Sequence, residues 1–384
     1  MNILRTRPTW ADVSLSALKH NFRAIQSHVG PAVTICAVVK ADAYGHGAIE
    51  CARALESDGA KRFGVTTTEE GVRLRQAGIA GRILLMTGFW RGEEEAVVEH
   101  RLTPAVWQEE SLALLERAAA KLNAQRVPVH LKLDTGMSRL GVTPEHLLAF
   151  LPQLRNAPHL ALEGAFTHLA SSEVLDAPDV EVQASRFSRA LDKIHRSGYT
   201  PQYTHIANSA AIAARPQMHH NFVRPGISLY GYYLPFVSAA GERIEDKALD
   251  VRPVLSWKTQ IIGLRDVPAG AGVGYNARLV TSRKSRIAVL PLGYADGLNR
   301  HLSCNGRMLV RGQFAPIAGN VSMDITLLDV TDIPGAQIGD TVTIFGTDGT
   351  NTITAWEHAT TSHTVPYEIL CNINVRVPRR YIQE

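Results

Sequence analysis

VTICAVVKADAYGHG, residues 33–47, carries a lysine straight out of an apolar, β-branched run and into a loop of small residues. Val33 to Val39 precede Lys40, and Tyr44, Gly45, His46 and Gly47 follow it. The run shows no apolar/polar alternation, the pattern of a strand buried on both faces of a parallel sheet. Seven more runs of this kind come after it: FGVTT (63–67), ILLMT (83–87), TPAVW (103–107), VHLKLDT (129–135), LEGAFTHLA (162–170), YTHIANS (203–209) and FVRPGISLYG (222–231). Helical patterns such as TEEGVRLRQAG, EESLALLERAAAKLN and VEVQASRFSRALDKIHRSG separate them.

Alternating βα units imply parallel strands, and eight is the number that closes a (β/α)8 barrel. An open doubly wound sheet is the structural rival, but no Gly-rich dinucleotide fingerprint follows the first strand to favour it. Around residue 245 the texture changes. VRPVLSWKTQIIGLRDVPAGAGVGY, SRIAVLPLGYADG and QIGDTVTIFG are short β-rich runs punctuated by Gly, Pro and Asp, without long helical periodicity. The expected fold is therefore α/β, a (β/α)8 barrel over residues 12–240 followed by a separate all-β C-terminal domain over 241–384. The N-terminal segment 1–11 is expected to pack with that second domain, and the acidic stretch Gly241–Asp250 to link the two.

Composition narrows the function. The chain of 384 residues is 45% hydrophobic and 20% charged, enough to bury a real core in two domains. A net charge of +4 without any Lys/Arg block argues against nucleic acid or an anionic membrane as main partner. Cys36, Cys51, Cys304 and Cys371 lie far apart without C-x-x-C spacing, so they read as reduced thiols and no metal site is expected. MNILRTRPTW lacks an apolar signal region and no apolar run reaches membrane-span length, so the expected location is cytoplasmic.

Barrel enzymes work at the C-terminal ends of their strands. There the first strand presents Lys40; the fifth presents Lys132 and Asp134 and leads to Arg139. The sixth carries His168, the seventh ends in Asn208-Ser209, and the eighth gives Arg224-Pro225-Gly226-Ile227. Loops after the last two strands of a barrel frequently bind phosphate through backbone N–H groups. Ser209 and the amides of Gly226 and Ile227 suit that role, though Ser209 reads equally as a helix N-cap before AAIAA. Lys40 beside a phosphate site suits a Schiff base with a phosphorylated aldehyde such as pyridoxal phosphate. A snorkelling lysine at a strand end fits the same pattern. His168 reads as a half-buried histidine as readily as a catalytic one, and Lys132 and Arg139 as a structural pair with Asp134.

VVKADAYGHG (38–47) closely resembles the pyridoxal-phosphate signature of alanine racemases. The resemblance runs along nearly the whole chain, through RPTWADVSLSALKHNF, HLKLDTGMSRLG, FTHLASSE, HIANSAA, VRPGISLYG, VGYNARL, LPLGYADGLNR, GNVSMDIT and TVPYEILCNINVRVPR, in that order. It implies a racemase that interconverts L- and D-alanine with pyridoxal 5'-phosphate by a two-base mechanism, supplying D-alanine for peptidoglycan. Lys40 would hold the cofactor and act as one base, and Tyr275 would act as the opposite base. Tyr44, Ser209, Gly226, Ile227 and Tyr367 would hold the phosphate. Arg224 would face the pyridine nitrogen, with His168 packing beside the ring and bonding toward Arg224. Arg139 would face the cofactor phenolate and the substrate carboxylate, and Met323 would offer its N–H to that carboxylate. Tyr294 and Tyr367 would narrow the entrance, favouring a small side chain and leaving serine a poor substrate, since one methylene or hydroxyl gives little discrimination. Lys132 matches a lysine carbamylated in many members. The resemblance also implies a head-to-tail homodimer with shared active sites.

Two positions depart from the family pattern. Asn320 stands in AGNVSMD where many members have arginine, and Asn276 follows the tyrosine of VGYNA where glycine is usual. Two other functions share the barrel. A fold-sharing amino-acid decarboxylase would place an acidic residue where Arg224 stands, and a non-catalytic pyridoxal-phosphate carrier would lack residues 245–384.

Overall fold

A computed structural model describes residues 7–244 and 249–383. Parts of the expected linker Gly241–Asp250 and of the segment 1–11 lie outside the described residues. The chain divides into two units, Leu18–Ala43 with Ala48–Arg252, and Met1–Ala17 with Tyr44–Gly47 and Pro253–Glu384.

The first unit contains eight parallel strands, one in each of the expected apolar runs. They are β1 (Thr34–Val38), β2 (Arg62–Val65), β3 (Arg82–Leu85), β4 (Leu102–Val106), β5 (Val127–Lys132), β6 (Leu160–Phe166), β7 (Tyr203–His205) and β8 (Phe222–Val223). Their hydrogen-bonded order is β7-β6-β5-β4-β3-β2-β1-β8, a nearly closed barrel. Past the short ladders of β7 and β8, the Arg224 N–H donates to Ala207 O at 3.1 Å and joins the two ends at the rim. Phe63, Phe166 and Phe222 are fully buried inside this unit. They explain why the strands read as continuous apolar runs.

The intervening helices follow from local sequence. Thr67 caps the helix Thr68–Gln76 and forms a capping box with Glu70. The helix Pro178–Arg196 opens on proline and buries Val180, Gln183, Phe187, Ala190 and Ile194, which recur at helical spacing. Lys193, His195 and Arg196 lie in its last turn, where the helix dipole favours cations.

The chain after β1 departs from a simple strand end. Lys40 sits two residues beyond Val38 and opens a left-handed turn in which Ala41, Asp42, Ala43 and Tyr44 have φ of 51°, 51°, 56° and 55°. Each such residue costs roughly 1–2 kcal/mol against a right-handed conformation. Local and long-range hydrogen bonds hold the turn. The Ala43 N–H donates to Val39 O at 2.9 Å and the Ala41 N–H to Glu70 Oε1 at 2.6 Å. Asp42 Oδ1 accepts from the Ala48 N–H at 2.8 Å. Glu70 thus serves both its helix cap and the backbone beside Lys40.

In the second unit the strand Thr9–Ser14 pairs antiparallel with Leu255–Gln260 and parallel with Arg379–Ile382. Leu255–Gln260 alternates buried and half-buried residues, as an antiparallel strand with one solvated face does. Trp257 lies opposite Phe345 of the next strand, Thr341–Asp348, with both rings fully buried and their centroids 6.1 Å apart. A further antiparallel sheet joins Gly263–Val267, Ser285–Leu290 and Thr326–Asp329, and a small hairpin pairs Gly272–Val273 with Leu279–Val280.

Ala41 is exposed, so glycine there relieves steric strain of roughly 1–2 kcal/mol at the expense of roughly 0.4–1 kcal/mol of unfolded-state freedom. Ala41→Gly is expected to stabilise the protein by about 0.5–1 kcal/mol. A higher urea midpoint at unchanged slope measures it, and a lower midpoint would contradict the left-handed turn.

Candidate functional site

The rim of the first unit gathers four basic side chains, Lys40, Lys132, Arg139 and Arg224. Lys132 is the last residue of β5 and only 5% exposed; its Nζ donates to Met86 O at 3.0 Å and stands 5.0 Å from the centre of the Phe166 ring. Burial, then the charges of Arg224, Arg139 and Lys40, push the Lys132 amine down to about 7. Burial and the same neighbours, with Lys132, hold the His168 imidazole down at about 3, so it is neutral at physiological pH. Arg224 is 4% exposed and burial lowers it to about 10, which still leaves it protonated at neutral pH.

Arg224 is heavily bonded. Its Nη2 donates to Thr167 O at 2.9 Å, Ile206 O at 3.2 Å and His168 Nδ1 at 3.3 Å, and its Nη1 meets His205 Nδ1 at 2.7 Å. Guanidinium nitrogens only donate, so His168 accepts through Nδ1 and keeps its proton on Nε2. Gln183 fixes the strand end on which His168 stands, donating to His168 O at 3.0 Å and accepting from the Ala170 N–H at 2.9 Å.

Asp134 does not form the expected side-chain pair with Lys132 and Arg139. Its carboxylate accepts the N–H groups of Gly136, Met137, Ser138 and Arg139 at 2.9–3.1 Å. Burial works against its ionisation, but those amides outweigh burial and hold it below the usual carboxylate range. The acceptor capacity of Asp134 is spent on its own turn, leaving Arg139 exposed with its guanidinium clear of that carboxylate.

Ser209 is not the helix cap. Asn208 caps the short helix Ser209–Ala214 by accepting the Ala211 N–H at 3.1 Å. Ser209 Oγ instead collects the Gly226 N–H at 2.9 Å, the Ser228 N–H at 3.3 Å and the Ser228 hydroxyl at 3.0 Å. Donors from the loop after β8 thus converge beside the loop after β7, as a phosphate oxygen requires. Ile227 is buried in that same loop.

The second unit carries the other candidates. Tyr44 and Tyr367 lie with ring centroids 6.0 Å apart. Tyr275 sits at the tip of the hairpin Gly272–Val273/Leu279–Val280 and is 71% exposed. Gly274, Asn276 and Ala277 of that tip have positive φ. Asn320 braces it, donating to Tyr275 O at 3.0 Å and accepting from Arg278 Nη1 at 3.1 Å. Met323 is 54% exposed, and its carbonyl accepts the Ala295 N–H at 3.0 Å, next to Tyr294, itself an exposed side chain.

Sequence reasoning missed the residues behind Arg224, namely His205 on β7, His130 on β5 and Glu163 on β6. One signal was available. His130 and Lys132 stand two apart on one strand and so share a face.

A group that fits this rim must be anionic. Lys40, Lys132, Arg139 and Arg224 act on one another, while the nearby Asp134 is already committed to backbone amides. Pyridoxal phosphate matches that donor set, having a phosphate for the Ser209–Gly226 corner and a pyridine acceptor for a guanidinium.

Comparison with known proteins gives the family. Residues 13–234 match the model of the alanine racemase N-terminal domain, and residues 254–381 that of the C-terminal domain. The alanine racemase of Halothermothrix orenii is 42% identical over 99% of this chain and 98% of its own length. That of Geobacter sulfurreducens is 40% identical, covering 98% of each. Among solved structures, alanine racemase from Clostridium difficile 630 superposes with a TM-score of 0.91 at 33% identity, over 98% of this chain and 96% of that one. The Bacillus anthracis enzyme, solved with bound L-Ala-P, gives 0.88 at 32%, over 98% and 95%. Two domain models that together match most of the chain, and relatives matched over nearly its whole length, place this protein in the alanine racemase family.

Proposed function

We propose that the chain interconverts L- and D-alanine, using pyridoxal 5'-phosphate held at the barrel rim. The observation that carries this is the positive charge that Arg224 and Arg139 place around Lys132, beside the donors that converge on Ser209. The cofactor supplies an electron sink for the substrate's α-carbon. Everything else falls to the chain's own groups. Lys40 holds the cofactor and moves a proton on one face of the α-carbon, and Tyr275 moves a proton on the other. Ser209, Gly226 and Ile227, with Tyr44 and Tyr367, bind the phosphate. Arg224 donates a hydrogen bond to the pyridine nitrogen without giving up its proton, and His168 packs beside the ring. Arg139 and the Met323 N–H bind the substrate carboxylate, while Tyr294 and Tyr367 narrow the way in.

Tyr275 and Met323 are both exposed, which suits side chains completed by a second copy of the chain. The assembly is a head-to-tail homodimer with shared sites. It works in the cytoplasm and supplies D-alanine for peptidoglycan.

Lys132 is the carbamylated lysine. Its depressed pKa leaves a neutral amine near neutral pH. The amine nitrogen bonds to the carbon of CO2, one amine proton passes to water, and the resulting carbamate anion faces Arg139. A carbon-13 signal from labelled bicarbonate, lost in Lys132→Met, is the expected mark.

Incubation with L-alanine in D2O is expected to give loss of optical rotation together with α-deuteration. Deuteration at constant rotation, or release of CO2, would sink the racemase reading. Tyr275→Phe is expected to lower kcat by about 10²–10⁴-fold. Mixing it with inactive Lys40→Ala should restore part of the activity through hybrid dimers. No recovery after verified subunit exchange would mean that each site is built within one chain.

Lys132 also fixes a sign in pH dependence. Its folded-state value of about 7 lies below the ordinary 10.5, so between those values the unfolded chain holds the extra proton. Stability in carbonate-free buffer should therefore rise with pH across that window. Below it both states are protonated and the full cost of burying the ammonium is present. Lys132→Met is expected to stabilise the protein more at acidic pH than above pH 10, as urea midpoints would show.

A further inference from the structure

A continuous set of hydrogen bonds leads from Arg224 into the barrel. Arg224 Nη1 meets His205 Nδ1 at 2.7 Å, and His205 Nε2 meets His130 Nδ1 at 2.8 Å. His130 Nε2 then meets Glu163 Oε2 at 3.1 Å. Arg62 Nη1 reaches the same carboxylate oxygen at 3.1 Å, and its Nη2 donates to Tyr203 Oη at 2.9 Å.

Only one assignment of protons satisfies this set. A guanidinium cannot accept, so His205 Nδ1 is the acceptor and its proton is on Nε2. That proton points at His130 Nδ1, so His130 in turn carries its proton on Nε2 and donates it to Glu163. A second proton on either ring would set two N–H groups against each other. The chain therefore runs in one direction, from guanidinium to carboxylate, and each bond polarises the next.

The fold shows that this arrangement is built. The register of β5 and β6 shifts at this point: Val129 pairs with Leu162 and His130 with Gly164, leaving Glu163 as the bulged residue. Bulges re-aim a side chain, and they are common beside active sites. Gly164 makes room, since a Cβ there would lie 2.5 Å from His130 Nδ1. His205 lies between Phe166, stacked at 4.6 Å and 2°, and Phe222 at 4.4 Å, so its ring is fixed. Burial lowers His130 and holds His205 well below the ordinary histidine value, so both rings are neutral. Burial alone would raise Glu163, but His130 and Arg62 outweigh it and bring the carboxyl down to about 2. Among the described residues no carboxylate pairs directly with Arg224.

We infer that Glu163 is a positioning residue for Arg224. Its carboxylate, acting through the fixed tautomers of His130 and His205, keeps an acceptor lone pair facing the guanidinium and so sets how Arg224 presents its remaining N–H groups. The link to catalysis rests on the role proposed above for Arg224; the tautomer chain itself does not.

Nitrogen-15 NMR of the histidine-labelled full chain reads the tautomers, and kcat and KM for alanine racemisation read the consequence. Wild type should show His130 and His205 neutral and protonated on Nε2. Glu163→Leu removes the final acceptor. It should let His205 populate the Nδ1–H form and lower kcat about tenfold, the scale on which outer partners of working histidines act, with KM near wild type. Glu163→Gln can still accept from His130 through its amide oxygen and should restore the single tautomer and most of kcat. An unchanged tautomer pair in the leucine variant, or equal losses of kcat in both variants, would overturn the inference. Should the leucine variant not fold, Gly164→Ala displaces His130 without touching an ionisable group. Loss of the single tautomer pair there supports the inference, and an unchanged spectrum overturns it. If the tautomers behave as stated while wild type fails to racemise alanine, the proposed function falls and the chain from Glu163 to Arg224 stands.

Discussion

Arg224 keeps a full positive charge inside the barrel, and among the described residues no carboxylate touches it. A charge taken from water at this depth costs several kcal/mol unless its hydrogens are all met. Two backbone carbonyls and two imidazoles meet those of Nη2 and one of Nη1. Those acceptors are neutral, so the charge itself is not cancelled locally and acts on its neighbours. It helps hold His168 in the neutral form and drives Lys132 toward a free amine. The rim is thereby short of negative charge, which is a standing preference for an anionic ligand.

The barrel was readable because parallel strands buried on both faces leave unbroken apolar runs, and all eight runs hold a strand. The turn after Lys40 was not. ADAY contains no glycine or asparagine, yet all four residues are left-handed, because Glu70 and the Val39 carbonyl hold the backbone there. Long-range bonds of that kind leave no mark in a local window. The chain behind Arg224 was hidden for a different reason. A histidine within an apolar strand looks like any core residue, and the bulge at Glu163 breaks the period-2 rule that would have assigned its face. Asp134 misled in the opposite direction. Opposite charges two apart on one strand suggest an ion pair, whereas the carboxylate folds back on its own turn.

The departures at 276 and 320 both bear on the tip that carries Tyr275. Asn276 takes φ of 61°, a conformation asparagine tolerates better than most side chains, so position 276 does not depend on glycine. Asn320 offers an acceptor to Arg278 and a donor to Tyr275 O at once. An arginine at 320, the residue many family members carry, has no acceptor and would confront Arg278 with a like charge. Asn320 and Arg278 therefore belong together. The tip that carries Tyr275 is held by a neutral amide bridge in place of a second cation.

Racemisation imposes one more constraint on this layout. L- and D-alanine carry the same charges, so a positive rim that binds one would bind both and supply no preference between them. Discrimination between faces has to come from where the two bases stand. On the two-base reading proposed above, a lysine on a braced left-handed turn serves the face it is held against, while His168 Nδ1 is occupied as the acceptor of Arg224. On that reading the opposite base comes from a segment that is rigid in its backbone yet uncovered at its side chain. The Tyr275 hairpin has both properties, braced by Asn320 and exposed at the tyrosine.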